Sequence, residues 1–256
     1  MEQSRFSLTM EDCQVAGEVY VPEGPEAHPA LCLCHGIPRG VRDTSDAGYP
    51  VLARRLCDAG FLTVLFNFRG TGQSGGNFDI LGWTRDLQAV IGYVHGMKKA
   101  DKARVFLMGF SAGGAVSVYV AAQDPRVSHV VTCACPARFR GFDNPDGAGT
   151  MLEHFRSIGM IRDRDFPPSV EQWLDGFRQV RPLDRIAKIS PRPLLIVHGT
   201  ADDVVDMSQA WQLYEKAGEP KEILIIEGAG HRLRLDEKAM SGALNWLRRQ
   251  AFPESV

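Results

Sequence analysis

A chain of 256 residues, 44% of them hydrophobic, can bury the core of one large α/β domain or of two small ones. Its 29 Lys and Arg balance 31 Asp and Glu, and no basic stripe or polybasic run points to nucleic acid or a membrane surface. The opening MEQSRFSLTMED lacks an apolar core of signal-peptide length, and no apolar run reaches the roughly 18 residues of a spanning helix, so the expected location is cytoplasmic. Six cysteines follow no disulfide-scaffold spacing. Cys32/Cys34 and Cys133/Cys135 alternate within apolar runs as residues on one strand face do, and are expected as buried free thiols. A metal site is not expected, because no His or carboxylate sits near them at ligand spacing.

Taken in chain order, two polar–apolar segments, 5–10 and 14–21, read as an antiparallel entry. Parallel strands are expected at 30–34, 62–68, 105–108, 127–133, 193–198 and 222–227. Helices fit between them at about 47–59, 81–98, 112–123, 182–189, 207–217 and 235–250. This alternation predicts a mostly parallel sheet covered on both faces, and with no repeat or linker-like stretch it predicts one domain. The connection after Pro136 is far longer than the about 15 residues beyond which loops are usually structured. Within it Met151, Leu152, Phe155 and Ile158 share one helical face, and Val170, Trp173, Leu174 and Phe177 share another. Pro167-Pro168 followed by Ser169 and Gln172 is a helix start with a capping-box pattern. Residues 137–180 therefore read as a small helical cap. Its position at the carboxyl ends of the strands predicts that Met151, Leu152, Phe155, Trp173 and Phe177 partly line a substrate pocket.

The chemistry concentrates at 104–114, RVFLMGFSAGG, where an apolar run ends in Gly109-Phe110-Ser111-Ala112-Gly113. This Gly-x-Ser-x-Gly pattern, with a strand before it and a small-residue helix after it, marks a nucleophile elbow with Ser111 at its tip. The flanking glycines leave room for a strained turn. In such an arrangement an acid follows the serine and a histidine follows the acid. His231, in Glu227-Gly228-Ala229-Gly230-His231, lies just past the last strand and is the only histidine after residue 198. The segment after His198 offers Asp202, Asp203 and Asp206. Asp202 is favoured as the carboxylate that orients the imidazole, Asp203 remains a competitor, and Asp206 is expected to cap the next helix. Two backbone donors should face a developing oxyanion, each commonly supplying about 3 kcal/mol. Ala112 N–H is one, and Ile37 N–H, in His35-Gly36-Ile37-Pro38, is the other, since Pro38 has no N–H. His35 is expected to brace its loop.

HGIP at 35–38, FNFRGTGQSGG at 66–76, GFSAG at 109–113, HGTADDVV at 198–205 and EGAGH at 227–231 span nearly the whole chain. Together they resemble serine esterases of the α/β-hydrolase superfamily, particularly the small capped carboxylesterases and the cinnamoyl/feruloyl-esterase-like enzymes. The resemblance implies the α/β-hydrolase fold: a mostly parallel sheet of about eight strands flanked by helices, with a cap after the sixth strand. It implies hydrolysis of a small carboxylic ester through an acyl-enzyme, with Ser111, Asp202 and His231 as the triad, Ile37 and Ala112 at the oxyanion, and no metal or organic cofactor. It also implies a structural turn at Arg69-Gly70-Thr71-Gly72. GTADDVV is similar as well to the acid loop of prolyl-oligopeptidase relatives, which usually carry a large extra domain for which this length leaves no room. A small peptidase, a thioesterase, a perhydrolase or a non-catalytic ligand-binding protein of the same fold thus stay open. Asn67, Asp206 and Arg232 depart from the usual residues at their positions, and nothing in the sequence reports oligomeric state.

Overall fold

The central strands are near-continuous apolar runs, so each presents a hydrophobic face on either side of the sheet, and helices cover both. The computed structural model describes residues 1–40, 46–142 and 147–253. In chain order the elements are β1 (Glu2–Thr9), β2 (Gln14–Val21), β3 (His28–Cys34), α1 (Tyr49–Asp58), β4 (Leu62–Phe66), α2 (Ile80–Gly96), β5 (Ala100–Phe110) and α3 (Ala112–Ala121). They continue with β6 (His129–Cys133), α4 (Ala148–Ser157), α5 (Val170–Gln179), β7 (Leu194–Gly199), α6 (Ser208–Lys216), β8 (Lys221–Ile226) and α7 (Glu237–Ala251). The eight strands form one sheet in the order β1-β2-β4-β3-β5-β6-β7-β8. Only the β1–β2 and β2–β4 pairings are antiparallel. No helix among the described residues is long and apolar enough to cross a membrane.

Cys32, Leu107, Val130 and Ile196 pack beneath α2, α3 and α6, while Leu33, Phe106, Val131 and Val197 pack beneath α1 and α7. The chain runs from β3 out to β4 and returns past β3 to β5, so the loops leaving β3 and β5 diverge at a topological switch point. Open α/β sheets place their ligand crevice there. Local signals hold the helices in place. Asp79 accepts from the Leu81 and Gly82 N–H groups at the start of α2, Ser169 accepts from Gln172 N–H at the start of α5, and Asp206 accepts from Ser208 N–H at the start of α6.

Three expectations need correction. Residues 182–189 form two short 3₁₀ turns, Pro182–Asp184 and Ile186–Ile189, because a segment this short with Pro at its start buries Pro182, Ile186 and Ile189 without completing α-helical turns. Strand β5 begins at Ala100 rather than 105, its polar start pairing with His28 and Pro29 before an irregularity at Pro29/Ala30. Cys133 and Cys135 do not share a face. β6 ends at Cys133, and Ala134 takes a left-handed φ of 52°, which carries Cys135 into the opposite core. All six cysteines are free, and all but Cys13 are buried.

Helices α4 and α5 follow β6; residues 143–146 of the expected cap lie outside the described residues. The apolar faces of both helices close on a buried aromatic cluster. Phe78 meets Phe155 at 4.7 Å and Phe177 at 5.9 Å between ring centroids, and Trp173 meets Phe177 at 5.1 Å. Trp173 also donates its indole N–H to the Phe78 carbonyl at 2.9 Å. Arg162 and Asp163 N–H both donate to the Asn77 side chain, stitching the segment to the turn before α2. Trp173→Ala should therefore cost about 3–5 kcal/mol of unfolding free energy in a denaturant titration. A loss below about 1 kcal/mol would show that the ring is not part of the core.

Candidate active site

Ser111 stands between β5 and α3 with φ 51° and ψ −123°, a conformation that non-glycine residues avoid, held because both flanks are locked. Its own N–H is spent on the Cys133 carbonyl at 2.8 Å, anchoring the turn to β6. A side chain at Gly113 would overlap the Cys34 and His35 carbonyl oxygens, so α3 can start this close to the end of β3 only with glycine there. A Cβ on Gly36 would lie 2.9 Å from Ser111 Cβ and 3.0 Å from the Phe110 carbonyl oxygen. The loop after β3 thus passes directly against the serine.

His231 links Ser111 to Asp202. Its Nε2 is 3.1 Å from Ser111 Oγ, and its Nδ1 is 2.9 and 3.0 Å from the two Asp202 carboxylate oxygens. An ionised carboxylate only accepts, so the network assigns the proton to Nδ1 and leaves Nε2 as the acceptor for the Ser111 hydroxyl. The Asp202 side chain is fully buried, and its Oδ1 also accepts from Val204 and Val205 N–H at 2.9 and 2.8 Å. Burial acts to raise its pKa, but the bonds from His231, Val205 and Val204 outweigh burial and hold it below the usual carboxylate value. Asp203 is different: its side chain is 79% exposed and only approaches Arg39, at 3.9 Å. The geometry thus separates the two competing aspartates.

Ala112 is the first residue of α3, so its N–H has no acceptor within the helix and lies at the positive end of the helix dipole. Ile37 N–H has no hydrogen-bond partner among the described residues. His35 braces the loop that carries it. Its Nε2 accepts from Phe68 N–H at 3.2 Å, which places the proton on Nδ1, 2.7 Å from the Gly36 carbonyl oxygen. The turn after β4 is fixed in its own right by Arg69, whose buried guanidinium and N–H both bond Asp86, while Trp83 donates to the Arg69 carbonyl.

A cavity of about 560 Å³ opens beside Ser111 and His231. Its walls include Ile37, Tyr49, Leu65, Phe110, Leu233 and Arg234. Of the five residues expected to line a pocket, Leu152, Phe155, Trp173 and Phe177 are buried in the core and Met151 packs against it; none lines this cavity. Their periodicity identified a buried face correctly, but that face meets Phe78 rather than the space over the serine. Apart from Ile37, the sequence does not group these wall residues, because they come from separated segments. Phe110, inside the Gly-x-Ser-x-Gly pattern, and Leu233, two residues past His231, carried a usable positional signal. Tyr49 carried none. It packs edge-on against Phe110 at 5.4 Å between centroids, beneath the Arg234 guanidinium, which sits 4.6 Å from the ring centroid and pairs with Asp46. Among the described residues, no group of three or more His, Cys, Asp or Glu side chains is arranged to hold a metal ion.

Burial drives the His35 pKa down to about 4, and burial does the same to His129, stacked on Phe106 at 4.2 Å. Both are neutral in the fold and take up protons near about pH 6.5 once unfolded. The unfolded chain binds more protons between these values, so stability is full above about pH 6.5 and falls as pH drops toward about 4. Denaturant titrations across that range should show the decline, with a shallower slope for His129→Gln. A flat profile from pH 7 to 4.5 would contradict the buried neutral histidines.

Comparisons with known proteins agree with this architecture. A sequence profile of the prolyl oligopeptidase family matches residues 51–251. YfhR of Salmonella typhi, itself uncharacterized, is 33% identical over 168 residues, which are 65% of this chain and 53% of YfhR. The matched stretch thus spans about half the length of that curated relative. Among solved structures, the α/β hydrolase GrgF from Penicillium sp. sh18 superposes with a TM-score of 0.76 at 22% identity, covering 98% of this chain and 99% of its own. An esterase domain from Rhodothermus marinus superposes with a TM-score of 0.68 at 20% identity, covering 97% of this chain and 99% of its own. At these identities the likeness is one of fold. By its profile match over most of its length, the chain belongs to the prolyl oligopeptidase family, and its fold is that of the α/β hydrolases.

Proposed function

We propose that this hydrolase cleaves small carboxylic esters through an acyl-enzyme on Ser111. The observation that carries the reading is the continuous hydrogen-bonded line from Ser111 Oγ through His231 to the buried Asp202 carboxylate. Ser111 Oγ attacks the ester carbonyl carbon as His231 Nε2 takes its proton, and the tetrahedral oxyanion is met by Ile37 and Ala112 N–H. The C–O bond then breaks, and the alcohol leaves with the proton from His231. Water, deprotonated by the same nitrogen, attacks the acyl-enzyme and releases the acid, returning the proton to Ser111. Asp202 keeps its charge throughout and stabilises the imidazolium. The apolar wall formed by Ile37, Leu65, Phe110 and Leu233 offers burial to an acyl or aromatic group. The likeness to an esterase domain also favours esters. The proposed setting is the reducing cytoplasm, which suits free cysteines, with neither nucleic acid nor membrane as a partner.

Peptide hydrolysis is the second reading, favoured by the prolyl oligopeptidase profile. A side-by-side panel of p-nitrophenyl acyl esters, methyl hydroxycinnamates and aminoacyl p-nitroanilides separates the two. The ester reading predicts turnover of the esters and none of the anilides; the reverse ranking would replace it with a peptidase.

The roles within the site predict a pattern of variants. Ser111→Ala and His231→Ala should each lower ester kcat by several orders of magnitude, and the double variant should add little, because the groups act as a unit. Asp202→Asn should cost far more than Asp203→Asn, since only residue 202 contacts His231 Nδ1. Near-wild-type turnover in the folded single variants would sink the assignment.

A further inference from the structure

A second imidazole stands beside the Asp202–His231 pair. His198, near the end of β7, has a fully buried side chain, and its Nε2 lies 2.8 Å from the Val205 carbonyl oxygen and 3.4 Å from Asp202 Oδ2. Both neighbours are acceptors, so the proton sits on Nε2 and points at them. Nδ1 is then a bare acceptor, and it is buried without a partner among the described residues. On the neighbouring strand, where Thr132 faces Ile196 in the register, the Thr132 hydroxyl is likewise unpartnered.

A residue needed only to fill this space would be apolar. An imidazole with one nitrogen unsatisfied carries a desolvation cost that a leucine or phenylalanine avoids. What the imidazole supplies, and those residues cannot, is a donor to the segment 202–205. That segment is a small closed circuit. Asp202 Oδ1 receives the Val204 and Val205 N–H groups, the Val205 carbonyl receives His198 Nε2–H, and the same Nε2–H borders Asp202 Oδ2.

We propose that His198 is a positioning residue for Asp202: by tethering the Val205 carbonyl it keeps the two backbone donors on Oδ1, and its Nε2–H flanks Oδ2, so the carboxylate is held facing His231 Nδ1. The inference rests on the reading of His231 as the base and Asp202 as its partner. It explains why a loop whose neighbours Asp203 and Val204 are exposed can present one carboxylate in a fixed orientation. His198 touches none of the reacting atoms, and its effect on turnover passes through Asp202 and His231.

Three readouts test this. In the wild-type protein, ¹⁵N NMR of the imidazoles should find His198 as the Nε2–H tautomer; an Nδ1–H tautomer would overturn the proposal without any mutation. His198→Gln keeps an amide donor near the Nε2 position, whereas His198→Phe fills the space without one. His198→Phe should lose the low-field His231 Nδ1–H proton resonance and lower kcat on the ester found in the panel about tenfold or more with KM nearly unchanged. His198→Gln should recover most of both. If the two variants have equal kcat, or if His198→Phe keeps the resonance, the residue is only core. His231→Ala run in parallel separates the failures: an active His231→Ala overturns the reading of the whole site, while an inactive one beside a fully active His198→Phe overturns the positioning role alone.

Discussion

The close approach of the start of α3 to the end of β3, made possible by the missing side chain at residue 113, is the constraint on which the rest of the site depends. Because α3 begins there, β5 must turn through a single residue, and Ser111 is forced to positive φ. Because β3 ends there, the Gly36–Ile37 backbone lies against the serine. The strain at one residue costs about 1–3 kcal/mol, and the buried strands on both sides of β5 hold it in place. One packing contact thus sets the serine, the helix N-terminus and the loop donor together.

The second half of the site is built by a different device. Asp202 and His231 arrive on loops leaving β7 and β8, and loops are poor at holding angles. Here hydrogen bonds supply the rigidity. Thr200 and Ala201 N–H bond the carbonyls of Ile226 and Ala229, tying the two loops to each other before either catalytic candidate appears. The carboxylate then collects donors until its charge is favoured despite burial. On the opposite flank of the cavity, Arg234 clamps the chain just past His231 to Asp46 and Tyr49, joining the start of α1 to the same frame. Helices α4 and α5 bury the aromatic cluster around Phe78, whose ring also meets Trp83, the donor to the Arg69 carbonyl in the turn after β4.

What could be read from the sequence was whatever depends on local backbone chemistry. The elbow, the loop after β3, the histidine past the last strand and the capping residues Asp206 and Ser169 are each defined within a few residues, and each stands where its pattern implied. The sequence separates Asp202 from Asp203 only by loop length, whereas burial and distance put Asp202 against His231 and leave Asp203 exposed. Periodicity located the apolar faces of α4 and α5 but said nothing about what they would meet, and Phe78 was the partner rather than a ligand space. The cavity wall was hidden for the same reason, since Tyr49, Leu65 and Arg234 become neighbours only through tertiary folding. Ala134 shows the limit most sharply: alternation predicts one face for Cys133 and Cys135, and a single left-handed residue between them reverses it.

The central claim is that the fold delivers an activated serine at position 111, and the most direct measurement is covalent labelling with a fluorophosphonate probe followed by peptide mass spectrometry. The account predicts one adduct, on Ser111, formed rapidly in the wild-type protein and severely slowed in His231→Ala. A wild-type protein that stays unlabelled under conditions that modify a control serine esterase, or an adduct on another residue, would contradict it.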